Sequence, residues 1–282
     1  MFLSLVLGGC QWVWHWPPWE QPEGVVWRPG SAPAGGDDEE MFAPSIFVVE
    51  VRVIPVEVPV GIASGSEKLW SYLDEERSRA VRSATMAQNG VRLGVAAQGV
   101  WPDLAKVLQE MTGRKLVESV TVTSPGTPLK ITLKPDQGKQ TIFTIARDRT
   151  ISGRDFPPGD NELILNFSIN ELDYSKLIVT GVPQIRAKER TSRVVDVPGM
   201  GPTIAIDTER FSLEACTFQL MLANSEILIV GPGAESRRPN SIGRHFLVHQ
   251  KDGLECETVL VIVPTIRKVA IKQDILTMPS AH

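Results

Sequence analysis

Three groups of residues have types and spacings that could support chemistry, and the first is a pair of histidines. His245 and His249 have the HxxxH spacing, which on a helix places both imidazoles on one face and lets them bind one metal ion. The segment alternates as a strand does, and at about 3.3 Å per residue its two imidazoles stand about 13 Å apart. One ion cannot bind both, so the sequence predicts no metal site.

The second group pairs a histidine with a cysteine across a hairpin. Asp252-Gly253 predicts a two-residue turn, because both positions accept a positive φ. That turn places His249 opposite Cys256 and His245 opposite Leu260. An imidazole beside a thiol can activate the thiol as a nucleophile, but the sequence offers no third group to orient the ring. We therefore interpret the pair as cross-strand packing.

Carboxylates form the third group. Glu226 and Glu257 lie in or beside apolar strands, and paired acids for glycoside hydrolysis need no local motif. The run Asp37–Glu40 is interpreted as a solvated acidic stretch. The chain has no P-loop, GxGxxG, GxSxG, CxxC or HExxH pattern. We therefore predict no catalytic residue, no cofactor and no enzymatic activity. A hydrolase that uses carboxylate or Cys/His chemistry is the alternative.

Composition narrows the class of protein further. The 282 residues carry a formal net charge of -4 with scattered Lys and Arg, which excludes the basic footprint of nucleic-acid binding. After Leu7 no run of about 20 apolar residues occurs, so no helix is predicted to span a membrane. Three cysteines cannot form a disulfide scaffold. Cys216 and Cys256 could form one bond in an oxidising compartment, or remain two separate buried thiols.

Residues 45–123 predict a small β-α-β-α-β part. Its first strand alternates valines on a buried face with Glu50 and Arg52, while Pro55 and Pro59 mark its end as an edge or a bend. The remaining elements are a helix from a Ser64/Glu67 capping box to about Gln88 that Asn89-Gly90 stops, a strand at Val91–Ala97, a helix at Pro102–Met111 ended by Gly113, and a strand at Leu116–Thr123.

Residues 124–272 predict a mainly antiparallel all-β part, because their apolar period is almost always 2. LKITL and TIFTIA flank Pro135–Gly138, which has the composition of a turn. Further strand candidates are Leu163–Ile169, Leu177–Ile185, Arg193–Val197, Thr203–Ile206, Ser212–Leu222, Ile227–Val230, Arg244–Gln250 and Glu255–Val263. The predicted fold class is therefore α+β, with residues 273–282 as a tail.

The chain begins MFLSLVLGGC, in which Leu7, two glycines and Cys10 have the order of a bacterial lipobox. The segment resembles the processing site of bacterial lipoproteins, and the resemblance implies lipid attachment at Cys10. In that family the cysteine receives a diacylglyceryl group and its new N-terminus is acylated, and several acyl chains give a stable anchor. The stretch before Cys10 has no Lys or Arg and is short for a signal peptide. We interpret residues 1–10 as a truncated signal whose true start lies upstream of Met1.

Residues 11–44 predict a Trp/Pro-rich tether without a fixed fold, because prolines interrupt every candidate element. Trp favours the boundary between lipid headgroups and water. A Trp cluster beside a lipidated cysteine would therefore lie at the membrane surface; alternatively, the rings cover a patch of the folded domain. The residues concerned are Trp12, Trp14, Trp16, Trp19 and Trp27.

Three further segments carry a second resemblance: SIFVVEVRVIPV, LANSEILIVGPG, and SIGRHFL followed by ETVLVIVPTIR. The first resembles the strand that opens the core domain of bacterial secretins. The second resembles the secretin segment in which a polar turn leads into an apolar strand and glycines. The third resembles the closing turn and strand of that family. Secretins are the outer-membrane channels of type II and type III secretion and of pili. The chain departs from the family in keeping only Ile242-Gly243 of a Pro-Leu-Gly turn, in having no visible gate glycine pairs, and in a longer helical region at 66–112.

Together, the two resemblances imply a non-enzymatic, lipid-anchored protein of the cell envelope that faces the periplasm, at the outer membrane in preference to the inner one. They imply a secretin-like structural or assembly module with protein partners or self-association. Exposed strand edges, such as the Pro-bearing Ile54–Val60, are the expected docking sites. We do not expect the chain itself to line a pore. The alternatives are an envelope hydrolase and a soluble cytoplasmic binding module.

Overall fold

Two antiparallel sheets and a separate hairpin carry the fold. A computed structural model describes residues 45–78, 80–197 and 201–270. The predictions for residues 1–44, including lipid attachment at Cys10, and for the tail at 273–282 lie outside the described residues. No helix in the described ranges has the length and apolar character needed to cross a bilayer.

The described strands are β1 (Ser45–Pro59), β2 (Val91–Ala96), β3 (Ser119–Thr123), β4 (Leu129–Gln137), β5 (Gln140–Ile145), β6 (Ile151–Phe156), β7 (Gly159–Asn170), β8 (Asp173–Val197), β9 (Gly201–Ser212), β10 (Phe218–Ala223), β11 (Ile227–Pro232), β12 (Val248–Lys251) and β13 (Leu254–Ala270). The described α-helices are α1 (Glu67–Trp70), α2 (Ala80–Gln88), α3 (Trp101–Thr112) and α4 (Ile242–Leu247). The predicted α+β class with a mainly antiparallel β content is confirmed.

The first sheet has the order β2-β11-β13-β1-β3, and β12 also pairs with β13. The second has the order β10-β8-β7-β4, with β9 paired to β8, and β5 and β6 form a hairpin of their own. β1 and β13 pair from Ser45 opposite Ala270 to Pro59 opposite Cys256. The first sheet therefore takes strands from both sides of the predicted boundary at residue 123, because periodicity identifies a strand without identifying its partner.

β1 buries parts of both its faces, in two different cores. Along Val49–Val53 the odd-numbered valines point into a core between the two sheets, as the alternating pattern predicts. Along Ile54–Val58 the even-numbered side chains point the other way, into a second core with α1 and α3. Trp70 of α1 closes this second core and donates its Nε1–H to the carbonyl of Ala63 at 2.9 Å.

The predicted helix at 64–88 is wrong in its start and its continuity. Ser66, and not Ser64, caps α1, because its Oγ accepts the N–H of Leu69 at 3.1 Å. The chain then leaves the helix because Asp74 exchanges backbone hydrogen bonds with Val95 of β2, at 2.8 and 3.1 Å. Pairing with the sheet thus overrides a continuous helical stripe. The predicted ends of α2 and α3 are confirmed, with positive φ at Gly90 and Gly113.

The segment predicted as a strand at 244–250 begins as a helix. The Oγ of Ser241 accepts the N–H of Arg244 at 3.1 Å and starts α4, and β12 follows only at Val248. His245 therefore lies on a helix and does not face Leu260. The alternating apolar pattern failed here because one turn and a half of helix is too short to display a period of 3.6.

The hairpin turn at Asp252-Gly253 is confirmed. Both residues have positive φ, at 51° and 79°. Lys251 pairs with Leu254, and His249 pairs with Cys256, in the predicted register. Local turn chemistry was sufficient to fix this part of the fold.

Three other strand predictions change in partner or length. The segments on either side of Pro135–Gly138 form β4 and β5, but β4 pairs with β7 and β5 with β6. The candidates at 177–185 and 193–197 belong to the single strand β8. The candidate at 212–222 begins with a 3₁₀ turn at Glu214–Cys216, and β10 follows it.

Candidate functional site

A polar cluster lies where β12, β13 and β1 run side by side. The Nε2 of His249 is 3.4 Å from Oε1 of Glu57, and the Nζ of Lys251 is 2.5 Å from its Oε2. Glu57 is the third group beside the imidazole, which the sequence pattern alone did not identify. The pairing of β1 with β13 brings it there, because that register places Glu57 opposite Thr258 and one strand away from His249.

The electrostatics of this cluster favour an ion pair over a nucleophile. The hydrogen bonds from His249 and Lys251 outweigh burial and lower the pKa of Glu57 to about 2. Burial, together with the nearby charge of Glu57, raises the pKa of the Cys256 thiol. A raised thiol pKa leaves little thiolate at neutral pH. The cluster therefore ties three strands together and does not prepare Cys256 for catalysis.

His245 is separated from this cluster because it lies on α4. Burial and the charge of Lys134 lower the pKa of its imidazole, so the ring is neutral at pH 7. The backbone carbonyl of His245 accepts Nδ2 of Asn161 at 2.8 Å, which joins α4 to β7. In the part of the chain that the structure describes, no three His, Cys, Asp or Glu side chains come together in a way that could hold a metal ion.

The carboxylates singled out in the sequence bind groups of the fold itself. Glu257 is fully buried, and its Oε1 accepts the N–H of Ala63 at 2.5 Å and of Ser64 at 2.8 Å. Glu226 accepts hydrogen bonds from the guanidinium of Arg77 at 3.1 and 3.2 Å, and from the backbone N–H of Ala223 at the end of β10 at 2.7 Å. Each carboxylate therefore satisfies donors in a loop or turn, which explains its place beside apolar strands.

Both described cysteines are free thiols. Cys216 is fully buried in the core between the sheets, and burial raises the pKa of its thiol. Cys256 is partly exposed on β13. The structure describes the two residues as separate thiols, and the bond between them that the sequence left open stays a prediction.

Among the described residues, no strand pairs with the outer side of β1 beyond Val53, because β3 pairs only with Val49–Val53. This stretch is the open β1 edge. Val60 donates its N–H to the backbone carbonyl of Glu255 in β13 at 3.0 Å. The even-numbered residues of β1 therefore point their backbone groups toward β13. The odd-numbered residues point theirs toward the open edge. Pro55 and Pro59 are two of these, and neither has an N–H. Two of the outward positions on this edge therefore offer no donor for strand pairing, and the docking role predicted for the edge stays a prediction.

β3 presents a second open edge, with different chemistry. β3 pairs with β1 from Ser119 opposite Val53 to Thr123 opposite Val49. Ser119, Thr121 and Thr123 therefore lie opposite the odd-numbered residues of β1, whose backbone groups point toward β3. The backbone N–H and C=O groups of Val120 and Val122 therefore point away from the sheet. The side chains of Val117, Val120 and Val122 are exposed by 75%, 53% and 59%. β3 consists of one Ser and four Val or Thr residues, contains no proline or charge, and has no strand on its outer side in the part of the chain that the structure describes.

Two of the secretin-like segments meet at a glycine junction. Gly233, at the end of LANSEILIVGPG, donates its N–H to the carbonyl of Gly90 at 2.9 Å, and Gly243, within SIGRHFL, donates to that of Asn89 at 2.9 Å. A Cβ on Gly243 would overlap the Gly90 carbonyl. These glycines therefore allow the end of α2, the end of β11 and the start of α4 to approach one another closely.

Comparisons with known proteins found secretins among solved structures. The type IV competence pilus secretin PilQ of V. cholerae is 12% identical over 81% of this chain and 63% of its own, with a TM-score of 0.20. The ETEC pilotin–secretin complex AspS–GspD is 9% identical over 82% and 49%, with a TM-score of 0.16. The InvG secretin domain of the Salmonella SPI-1 injectisome is 8% identical over 84% and 64%, also at 0.16.

This likeness is of low degree. The chain spans less than two thirds of the length of each of these three secretins. No protein-family model and no curated protein sequence matches it. TM-scores of 0.16–0.20 do not establish a shared fold.

Proposed function

We propose that this chain is a non-enzymatic, secretin-like structural or assembly module of the cell envelope that acts through protein–protein contacts. It is attached to the membrane through lipid on Cys10 and faces the periplasm, at the outer membrane in preference to the inner one. The observation that carries the proposal is the open β3 edge, defined as Val117–Thr123 with the outward backbone groups of Val120 and Val122.

The open β3 edge has what strand addition requires. An added strand gains main-chain hydrogen bonds from the outward N–H and C=O groups, and the exposed valines supply an apolar face for alternate side chains of the partner. A strand of this kind is a liability in a protein that works alone, and natural proteins usually block such edges with Pro, Lys or a covering loop. The same sheet carries that block at Pro55 and Pro59 and does not carry it on β3.

A proline at Val122 tests the contact, because it removes an outward N–H and leaves the bonds of β3 to β1 in place. We expect the full-length Val122→Pro protein to lose self-association in size-exclusion chromatography with light scattering, or to lose partner crosslinks in envelope fractions. Its fold should remain intact by circular dichroism.

The matched control is Val122→Ile, which keeps the N–H and the apolar face and should assemble as the unsubstituted protein does. If Val122→Pro associates and crosslinks as well as Val122→Ile, the β3 contact is refuted.

Attachment is tested separately with labelled fatty acid. We expect label on the full-length protein and none on Cys10→Ala. Cys256→Ala removes a different, partly exposed thiol and should keep the label. No label on the unsubstituted protein would refute the anchor and favour a soluble binding module.

An enzyme of the Cys/His type has less support. The imidazole of His249 is directed to Glu57, and the pKa of the Cys256 thiol is raised. A nucleophilic cysteine needs the opposite shift. We therefore propose no hydrolytic role for this cluster.

A further inference from the structure

A cavity of about 400 Å³ lies among α2, the β5–β6 hairpin and the turn that follows β9. Its apolar lining comes from Ile142, Phe156 and Leu213, which are almost fully buried. Its volume is within the range of small-ligand sites, which combine an apolar surface with a few polar groups. The proposed assembly function does not use this cavity.

Three guanidinium groups line the cavity beside that apolar surface: Arg82, Arg147 and Arg154. Arg82 donates to the backbone carbonyl of Thr217, which fixes it to the wall. The guanidinium of Arg154 lies 5.3 Å from the ring centroid of Phe156 and 5.1 Å from that of Phe211. A guanidinium held against aromatic faces keeps its N–H edge free for hydrogen bonds in its own plane.

The arginines of the cavity form no salt bridge within the residues that the structure describes. Among the described residues, no carboxylate forms an ion pair with Arg147 or Arg154, although Glu214 also lines the cavity. Counting Arg82, Arg147, Arg154 and Glu214, the lining carries a net charge of about +2. Cations concentrated in a concave site favour an anionic ligand.

We propose that this cavity binds an apolar group that bears a single carboxylate, as a free N-acylated amino acid or the C-terminal residue of a peptide does. The carboxylate forms planar, charge-assisted hydrogen bonds with Arg147 and Arg154. The apolar side chain packs against the wall formed by Phe156 and Leu213. Glu214 on the same wall disfavours a doubly charged phosphate, because it repels the second negative charge.

Ligand-detected NMR on the full-length protein tests this site with a pair of probes that differ only in charge. N-acetylleucine carries the carboxylate, and N-acetylleucinamide has the same apolar side chain without it. We expect saturable binding of N-acetylleucine that is at least about tenfold tighter than that of the amide. Inorganic phosphate should compete poorly.

The second arm compares sources of the same chemistry. A tetrapeptide that ends in leucine, with a free or an amidated C-terminus, reports whether a peptide end is accepted. Tighter binding of the free tetrapeptide than of N-acetylleucine assigns the site to a peptide end, and the reverse assigns it to a small molecule. Either result supports the proposal if the amidated forms bind at least about tenfold more weakly.

Substitutions locate the binding in this cavity. Arg154→Gln and Arg147→Gln should each weaken N-acetylleucine binding by about tenfold. Arg149→Gln removes the same charge from the same hairpin outside the cavity lining and should change binding little. Equal binding of acid and amide, equal effects of the three substitutions, displacement by phosphate at similar concentration, or no binding at millimolar concentration would each overturn the proposal.

Discussion

Two open edges of the first sheet, on β1 and on β3, carry opposite chemistry. On β1, beyond Val53, the outward backbone positions include Pro55 and Pro59, and Ile54, Val56 and Val58 beside them are buried. On β3, the outward positions are valines with free N–H groups and exposed side chains. One edge is blocked and the other is left able to pair. The outward backbone donors of β3 are therefore not matched on the β1 edge.

The largest effect is expected where Glu257 holds the loop that follows the blocked edge. Glu257→Leu leaves the buried N–H groups of Ala63 and Ser64 without their acceptor. We expect a loss of about 3 kcal/mol in the free energy of unfolding, since each unpaired buried donor costs about 1–3 kcal/mol.

Urea denaturation measures this loss. The control is Glu255→Gln. Glu255 lies two residues before Glu257 on β13, and its exposed carboxylate pairs with Arg244 of α4. Its substitution should leave the urea midpoint unchanged. Equal midpoints for the two variants would mean that Glu257 does not support the loop.

A pair of prolines on neighbouring residues of β3 gives the next largest effect and tests the direction of its donors. Thr121→Pro removes an N–H that points to β1 and should cost about 2 kcal/mol, whereas Val122→Pro should cost less than about 1 kcal/mol. Thermal unfolding of both variants provides the comparison. A larger loss for Val122→Pro would reverse the orientation assigned to β3.

Acid should lower the free energy of unfolding by a smaller amount, because it removes the charge of Glu57 on β1. The folded-state pKa of Glu57 is lowered to about 2, so its ion pair contributes fully above the ordinary carboxyl pKa of 4.5 and is lost as the pH falls from 4.5 to 2. Because Glu57 is partly exposed, we expect at most about 1 kcal/mol.

The unfolding free energies of the unsubstituted protein and Glu57→Gln, measured between pH 7 and pH 2, check this contribution. Their difference should shrink across the window from 4.5 to 2. A constant difference across that window would contradict the assigned pKa.

Replacing a proline on the β1 edge should give the smallest change in stability. The same replacement should change association. Pro55→Val restores an outward N–H and should alter the unfolding free energy by no more than about 0.5 kcal/mol. It should increase self-association in light scattering, because it creates a second edge that can pair. Pro125→Val lies in the turn after β3 and serves as the control. No increase over that control would show that prolines do not block this edge.

Local chemistry in the sequence was enough to predict several elements. Asp252-Gly253 fixed the register that places His249 opposite Cys256, and Gly113 marked the end of α3. Both signals depend on residues that accept a positive φ, and such residues are recognisable from the local sequence. The helix at 64–88 failed because Asp74 pairs with Val95, a contact that no local pattern contains.

The chemistry around the candidate sites could be predicted only in part. The pairing of His249 and Cys256 was visible, but Glu57 joins them only through the long pairing of β1 with β13. The open β3 edge was equally hidden, because alternation shows that Ser119–Thr123 is a strand without showing that one side is unpaired. The prolines at 55 and 59 indicated an edge correctly, and their consequence for docking required the direction of the backbone groups.

Amide hydrogen exchange at three consecutive residues of β3 tests the open edge most directly. In dilute full-length protein, Thr121 should be protected by β1, whereas Val120 and Val122 should exchange rapidly. In the assembled protein, Val120 and Val122 should become protected while Thr121 changes little. Slow exchange of Val120 and Val122 in the dilute protein, or rapid exchange in the assembled one, would contradict the account.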